Sequence, residues 1–240
     1  MLEIFHYVES PRKCSYLPDE TASLEIRALV EMSAEEYAEL LERGYRRFGL
    51  TVFRPACADC SKCRSVRVPV QRFQPGASDR RILRKNRHIE AELHPAFASS
   101  AHVDLFNRYH RFMTKYRGWQ EQEVTLETYH RDFVAGGREV GKQWLYHDRD
   151  RLVGVALMDQ VADAISLVYF FYDPDWRPLS PGTYSVLTQL LHAKAAGLQY
   201  AYLGYWIEEC RSMSYKRRFT PLEVLVKHPA AGESPVWAGL

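Results

Sequence analysis

Behind Ser33-Ala-Glu-Glu36, apolar residues recur at helical spacing: Tyr37, Leu40, Leu41 and Tyr45 share a face, and Gly44 and Gly49 supply stop signals. A hydroxyl residue followed three positions later by glutamate forms a capping box, so a helix is predicted here. Alternation with period two replaces the helical pattern at Leu50 to Arg54 and again at Ser65 to Val70, where Val66 and Val68 fall on one face. Both segments read as strands. The loop Pro75-Gly-Ala-Ser78 then introduces a basic helix of about fifteen residues, with Ser78 as its expected N-cap.

A break at His94-Pro95 and Ala98-Ser-Ser100 separates this part from the next. Phe106, Tyr109, Met113 and Tyr116 mark an amphipathic helix, and Leu126, Tyr129 and Phe133 a second behind a Thr125 cap. Strands are predicted at Gln143 to His147, Leu152 to Val161 and Ala164 to Tyr172, a helix over 182–196, and a buried strand from Tyr200 to Trp206. This alternation predicts an α+β, mixed fold: a mixed sheet with covering helices over 93–240, behind an N-terminal domain over 1–92.

A chain of 240 residues buries a sizeable core. The N-terminus lacks the basic and long apolar regions of a signal peptide, and no segment is long and apolar enough to cross a bilayer, so a cytoplasmic protein without a membrane partner is expected. Net charge is only +2. Its distribution is uneven: residues 62–90 carry nine Lys or Arg against Asp79 and Glu90, which points to a polyanionic partner.

Three features carry candidate chemistry. Cys57, Cys60 and Cys63 form a C-x2-C-x2-C run, a spacing that lets thiolates converge on zinc or an iron–sulfur cluster, with Cys14 a fourth ligand if the fold returns it there. Cys210 is assigned to core packing. In the basic helix, Arg80/Arg84 and Arg81/Lys85 stand four apart and repel unless an anion lies between them, which suits phosphate binding. The segment from Tyr202 to Glu223 mixes aromatic, acidic and basic side chains directly after a strand. There Tyr205 and Trp206 suit stacking, and Lys216, Arg217 and Arg218 suit a carboxylate or phosphate.

Arg177 to Gly182 occupies the place of the R-x-x-G-x-G/A loop of an acetyl-CoA-dependent acyltransferase, but Ser180 replaces the first glycine and Pro178 and Pro181 lack N–H donors.

Cys14-Ser-Tyr-Leu-Pro18, Tyr-Arg-Arg-Phe48, Val52-Phe-Arg-Pro55 with the cysteine run, and Ser78 to Asn86 follow one another along the first half of the chain. Val168-Tyr-Phe-Phe-Tyr-Asp-Pro174, Gly182-Thr-Tyr184, and Gly204-Tyr-Trp-Ile207 through Met213, Tyr215, Lys216, Phe219 and Pro221 complete the series. In these stretches the chain resembles the bacterial aspartate/glutamate leucyltransferases, relatives of the eukaryotic arginyl-tRNA–protein transferases. The resemblance implies a cysteine-bearing N-terminal domain and a GNAT-type, acyltransferase-like C-terminal domain. It implies transfer of leucine from leucyl-tRNA to proteins with N-terminal Asp or Glu, within the N-end rule degradation pathway. Ser212, where the family commonly has a basic residue, and Trp176 depart from the pattern.

The bond to be made sets the remaining expectations. An α-amino group must lose a proton and attack an ester carbonyl, so alignment supplies much of the catalysis and no cofactor is required. Asp173, Glu208 and Glu209 are expected to accept or relay the proton, and Tyr205 to stabilise the oxyanion. Arg217, Arg218 and Arg81 are expected to pair with the acceptor's acidic side chain. Arg80, Arg81, Arg84, Lys85, Asn86, Tyr169, Trp206, Met213, Tyr215 and Lys216 complete the expected substrate contacts. Arginyl transfer by the same chemistry, an acetyl-CoA-dependent N-acetyltransferase and a non-enzymatic RNA-binding or metal-sensing protein are the alternatives.

Overall fold

The computed structural model describes residues 1–137 and 139–240. A four-stranded antiparallel sheet forms first, in the order β1-β4-β6-β5, from β1 (Leu2–Val8), β4 (Leu24–Val30), β5 (Arg46–Phe48) and β6 (Thr51–Pro55). Two short strands, β2 (Arg12–Lys13) and β3 (Thr21–Ala22), pair beside it. Helix α1 (Ala34–Glu42) begins at the expected capping box: Ser33 accepts from the Glu36 amide, and the Glu36 carboxylate accepts from the Ser33 amide.

The main body is an eight-stranded sheet, β14-β13-β7-β12-β11-β10-β9-β8. It comprises β7 (Arg64–Pro69), β8 (Ile89–Pro95), β9 (Gly141–Asp148), β10 (Arg151–Gln160), β11 (Ala164–Tyr172), β12 (Tyr200–Trp206), β13 (Glu223–Leu225) and β14 (Trp237–Gly239). The boundary expected at residue 92 falls inside β8, so the cysteine-bearing part and the rest share one sheet.

Alternation along β10 shows why both faces are covered. Ala156 and Met158 pack toward α5 (Pro181–Ala195), and Val155 and Leu157 toward α3 (Ser100–Arg117) and α4 (Leu126–Tyr129). Thr125 caps α4 as expected.

The basic helix, α2 (Ala77–Lys85), packs against α5 and departs from expectation at both ends. Its N-cap is Gly76, not Ser78, because the Asp79 carboxylate reaches back to the Gly76 amide at 3.0 Å. It stops after nine residues, where the Asn86 side chain bonds the Ile82 and Leu179 carbonyls and the chain turns into β8.

The pairing that shapes the site is between β11 and β12. These neighbours run parallel and are in register only from Ala164–Ser166 against Tyr200–Tyr202. Beyond that point both strands continue without pairing with each other, and on its other side β12 shifts register against β7 between Tyr202 and Gly204. Gly204 lies at φ +82°, a left-handed conformation that glycine adopts without a Cβ penalty. The sheet therefore opens at Leu167 and Leu203, and a cleft forms in the gap.

Candidate active site

The cleft is a cavity of about 690 Å³ between α3, β11, the start of α5 and the turn over Ser214–Arg218. Its walls are largely apolar and aromatic, with Leu167, Leu203, Tyr109 and Trp119 among them. Tyr169, Met213, Tyr215 and Lys216, four of the expected substrate contacts, converge on it. The Tyr169 hydroxyl meets His110 Nε2 at 2.9 Å, and burial holds that phenol above its ordinary pKa. Three exposed arginines, Arg117, Arg177 and Arg211, also line it, and Arg177 is stacked over Tyr116. No described Asp, Glu or His lines the cavity.

Among its described lining residues the buried amine is Lys216, whose Nζ donates to the Tyr205 carbonyl at 2.5 Å. Burial, and then the nearby Arg46 guanidinium, bring this lysine down to about 7. At the cavity's lip Ser180 adopts φ +60° and Pro181 opens α5 without an amide donor, as the sequence leads one to expect of a loop poorly equipped for pyrophosphate.

The three acids expected to handle the proton lie elsewhere. Asp173 caps the short turn over Pro174–Leu179, accepting from the Asp175 amide at 3.0 Å, and pairs with Arg108 and Arg151. Glu208 pairs with Arg217 at 3.3 Å and Glu209 with Lys62 at 3.5 Å, all on the surface. Nor does Tyr205 aim at the cleft. Its hydroxyl donates toward the Gly44 and Phe53 carbonyls, both at 3.0 Å, and burial pushes its pKa well up. Hydrogen-bonded in this way, it is not free to meet an oxyanion.

Other expected contacts take structural positions. Trp206 is a core residue with Arg64 stacked 4.9 Å from its ring centroid. Asn86 is fully buried, and its Oδ1 accepts from the Trp176 indole at 2.7 Å, which locks the turn after β11. Arg218 bonds Asp79 at 2.7 Å and so ties α2 to the turn that carries Lys216. Arg80 donates to the Pro75 carbonyl. Arg81, Arg84 and Lys85 stay at the surface and, with Arg87 and His88, line a shallow basic depression.

The cysteines meet as the sequence suggests: Cys14, Cys57, Cys60 and Cys63 line one cavity of about 110 Å³ beneath Tyr205. Burial, then the neighbouring thiols, push the Cys63 thiol up to about 12. Among the described residues, no three Cys, His, Asp or Glu are arranged to hold a single metal ion. The four thiols thus share a cavity without forming a ready mononuclear site. Cys210, assigned to core packing, is buried but also lies near the cluster, where it adds to the upward push on Cys63.

Sequence reasoning passed over Arg117, Trp119, Gln189 and Arg211 on the cavity wall, and Arg46 behind it. The Tyr-Arg-Arg-Phe48 stretch was the signal for Arg46.

A mixed sheet splayed over an aromatic cleft ringed by cations, with no acid among its described lining residues, has the architecture of an acyltransferase-like fold. The fold is shared with the crystal structure of FemX (TM-score 0.53, 9% identity, 86% of this chain and 70% of that one), a likeness of fold alone. The chain belongs to the arginine-tRNA-protein transferase family, whose N-terminal part matches residues 12–81 and C-terminal part residues 101–226. It is 36% identical to the aspartate/glutamate leucyltransferase of Helicobacter hepaticus over 236 residues, 98% of each chain, and 38% identical to that of Nitrosococcus oceani over 219 residues, 91% of each. The protein is an aminoacyltransferase. No described helix is long and apolar enough to cross a membrane.

Proposed function

We propose that this protein transfers leucine from leucyl-tRNA to the α-amino group of proteins that begin with Asp or Glu, marking them for N-end rule degradation. The amine nitrogen forms a bond to the ester carbonyl carbon, the bond to the tRNA ribose oxygen breaks, and the amine proton ends on that oxygen. One observation carries the choice of donor: the cleft is apolar and cationic, with no described acid on its wall. An arginyl side chain would bring a further positive charge among Arg117, Arg177, Arg211 and Lys216 without a partner, whereas a leucyl side chain buries in such walls favourably.

The exposed arginines and the basic face of α2 suit the phosphates of the tRNA. Against an acetyl-CoA donor stands the lip itself, where Pro181 withholds an amide from the start of α5. Purified protein incubated with leucyl-tRNA or arginyl-tRNA and peptides beginning Asp, Glu or Ala, followed by mass spectrometry, tests the reading. Addition of leucine to the Asp and Glu peptides alone is expected. Addition of arginine, or equal modification of the Ala peptide, overturns it.

A further inference from the structure

Two cations are buried together where the sheet splays, and neither forms an ion pair with any described residue. Lys216 is 9% exposed and Arg46, reaching over from β5, 8%. Each has taken a backbone carbonyl in the opened strands: Lys216 that of Tyr205 and Arg46 Nη2 that of Leu167. Arg46 Nη1, shielded from solvent, has no partner among the described residues. Both close on Gly204, where an added Cβ would stand 3.6 Å from Lys216 Nζ and 3.7 Å from Arg46 Cζ. The neighbouring buried arginines differ: Arg47 is paired with Asp159 and Arg67 with Glu223.

Buried charge without a counter-charge is strongly unfavourable, so an anion that completes the pair gains more here than at the surface. Lys216 lines the cleft; Arg46 is not itself on the cleft wall, but its guanidinium bonds the backbone carbonyl of Leu167, which is. Resting on the leucyl-transfer reading above, we infer that Lys216 and Arg46 form the carboxylate cradle that reads the acidic side chain of the acceptor's first residue. Two donors on adjacent stems match two carboxylate oxygens. A side-chain amide would turn an N–H toward a donor, so Asn and Gln are refused by the cradle as well as left unattracted. Gln189, 2% exposed on the same cavity wall, has an Oε1 without a partner among the described residues and suits the acceptor's α-amino group.

Leucyl transfer to otherwise identical peptides beginning Asp and Asn, measured as kcat/KM, tests the inference. Wild-type protein should prefer Asp by on the order of 100-fold or more. In Lys216→Met and Arg46→Met the Asp-to-Asn ratio should collapse toward one, chiefly through KM for the Asp peptide, and Arg46→Lys should restore part of it. Folded variants that keep the wild-type ratio overturn the cradle. Because the variants can misfold, a crystal structure of wild-type protein with the dipeptide Asp-Ala decides independently: a side-chain carboxylate seated on Lys216 Nζ and Arg46 Nη1 supports the cradle, and one seated elsewhere overturns it. Failure of wild-type protein to leucylate any Asp peptide strikes at the leucyl-transfer reading instead.

Discussion

Arg47 and Asp159, 112 residues apart in sequence, form an ion pair whose side chains are 4% and 0% exposed. The Tyr37 hydroxyl completes the carboxylate at 2.9 Å, while Arg47 Nη1 also reaches the Gly49 and Ala135 carbonyls. This network joins α1 and β5 to β10, and so holds β5, with Arg46 on it, against the large sheet. Truncating one partner strands the other as an uncompensated buried charge. Arg47→Ala is therefore expected to cost about 3–5 kcal/mol of stability, read by denaturant unfolding, with a melting temperature lower by roughly 10 °C. A loss near zero would mean that the pair is not buried in solution.

Lys216 gives stability a defined pH dependence. Its folded value of about 7 lies below the ordinary 10.5, so between these values the unfolded chain binds more protons and stability rises with pH. Below about pH 7 the lysine is charged in both states and the burial cost is complete. Lys216→Met should therefore stabilise the fold by on the order of a few kcal/mol near pH 6, and the gain should fade toward pH 10. An equal gain at pH 6 and pH 9.5 would show that the lysine is not buried as charge.

The C-x2-C-x2-C spacing, rather than the geometry of the cavity, motivates a test for metal. Protein isolated without oxygen is expected to carry zinc or iron bound by Cys14, Cys57, Cys60 and Cys63, and replacement of Cys60 by Ser should reduce the metal content measured by elemental analysis. Because no three described ligands are set for a single ion, binding requires the loop to draw inward or a cluster to span it. Metal-free protein under those conditions leaves the thiols as structural or redox groups.

Charge removal on α2 separates phosphate binding from a merely solvated face. The variant with Ala at Arg80, Arg81, Arg84 and Lys85 should bind leucyl-tRNA more weakly. For every tRNA phosphate that the variant no longer neutralises, the plot of log affinity against log salt should flatten by roughly 0.7–0.9, because fewer counterions are released on binding. An unchanged affinity and slope in a folded variant would place the tRNA elsewhere.

What the sequence determined by itself was local or periodic. The capping box at Ser33 needs only residues three apart, and the strands from Gln143 to Tyr172 declare themselves by alternation, so their presence and their two-faced burial were legible. The cysteine cavity was legible from spacing, because three of its four members lie within seven residues. Tertiary structure decided which way each chemically capable side chain points. Alternation says that Tyr205 and Trp206 oppose each other, but which face meets the cleft depends on the register shift near Gly204 and on the carbonyls of Gly44 and Phe53. Asp173 looked like a base because carboxylates can be bases, and its place as a turn cap beside two arginines is a matter of neighbours. Arg46 and Lys216 meet only because two parallel strands separate after three paired residues, leaving carbonyls that long cationic side chains from distant segments fill. Local propensity cannot encode such a meeting, since its free energy lies in contacts between segments that the sequence leaves far apart.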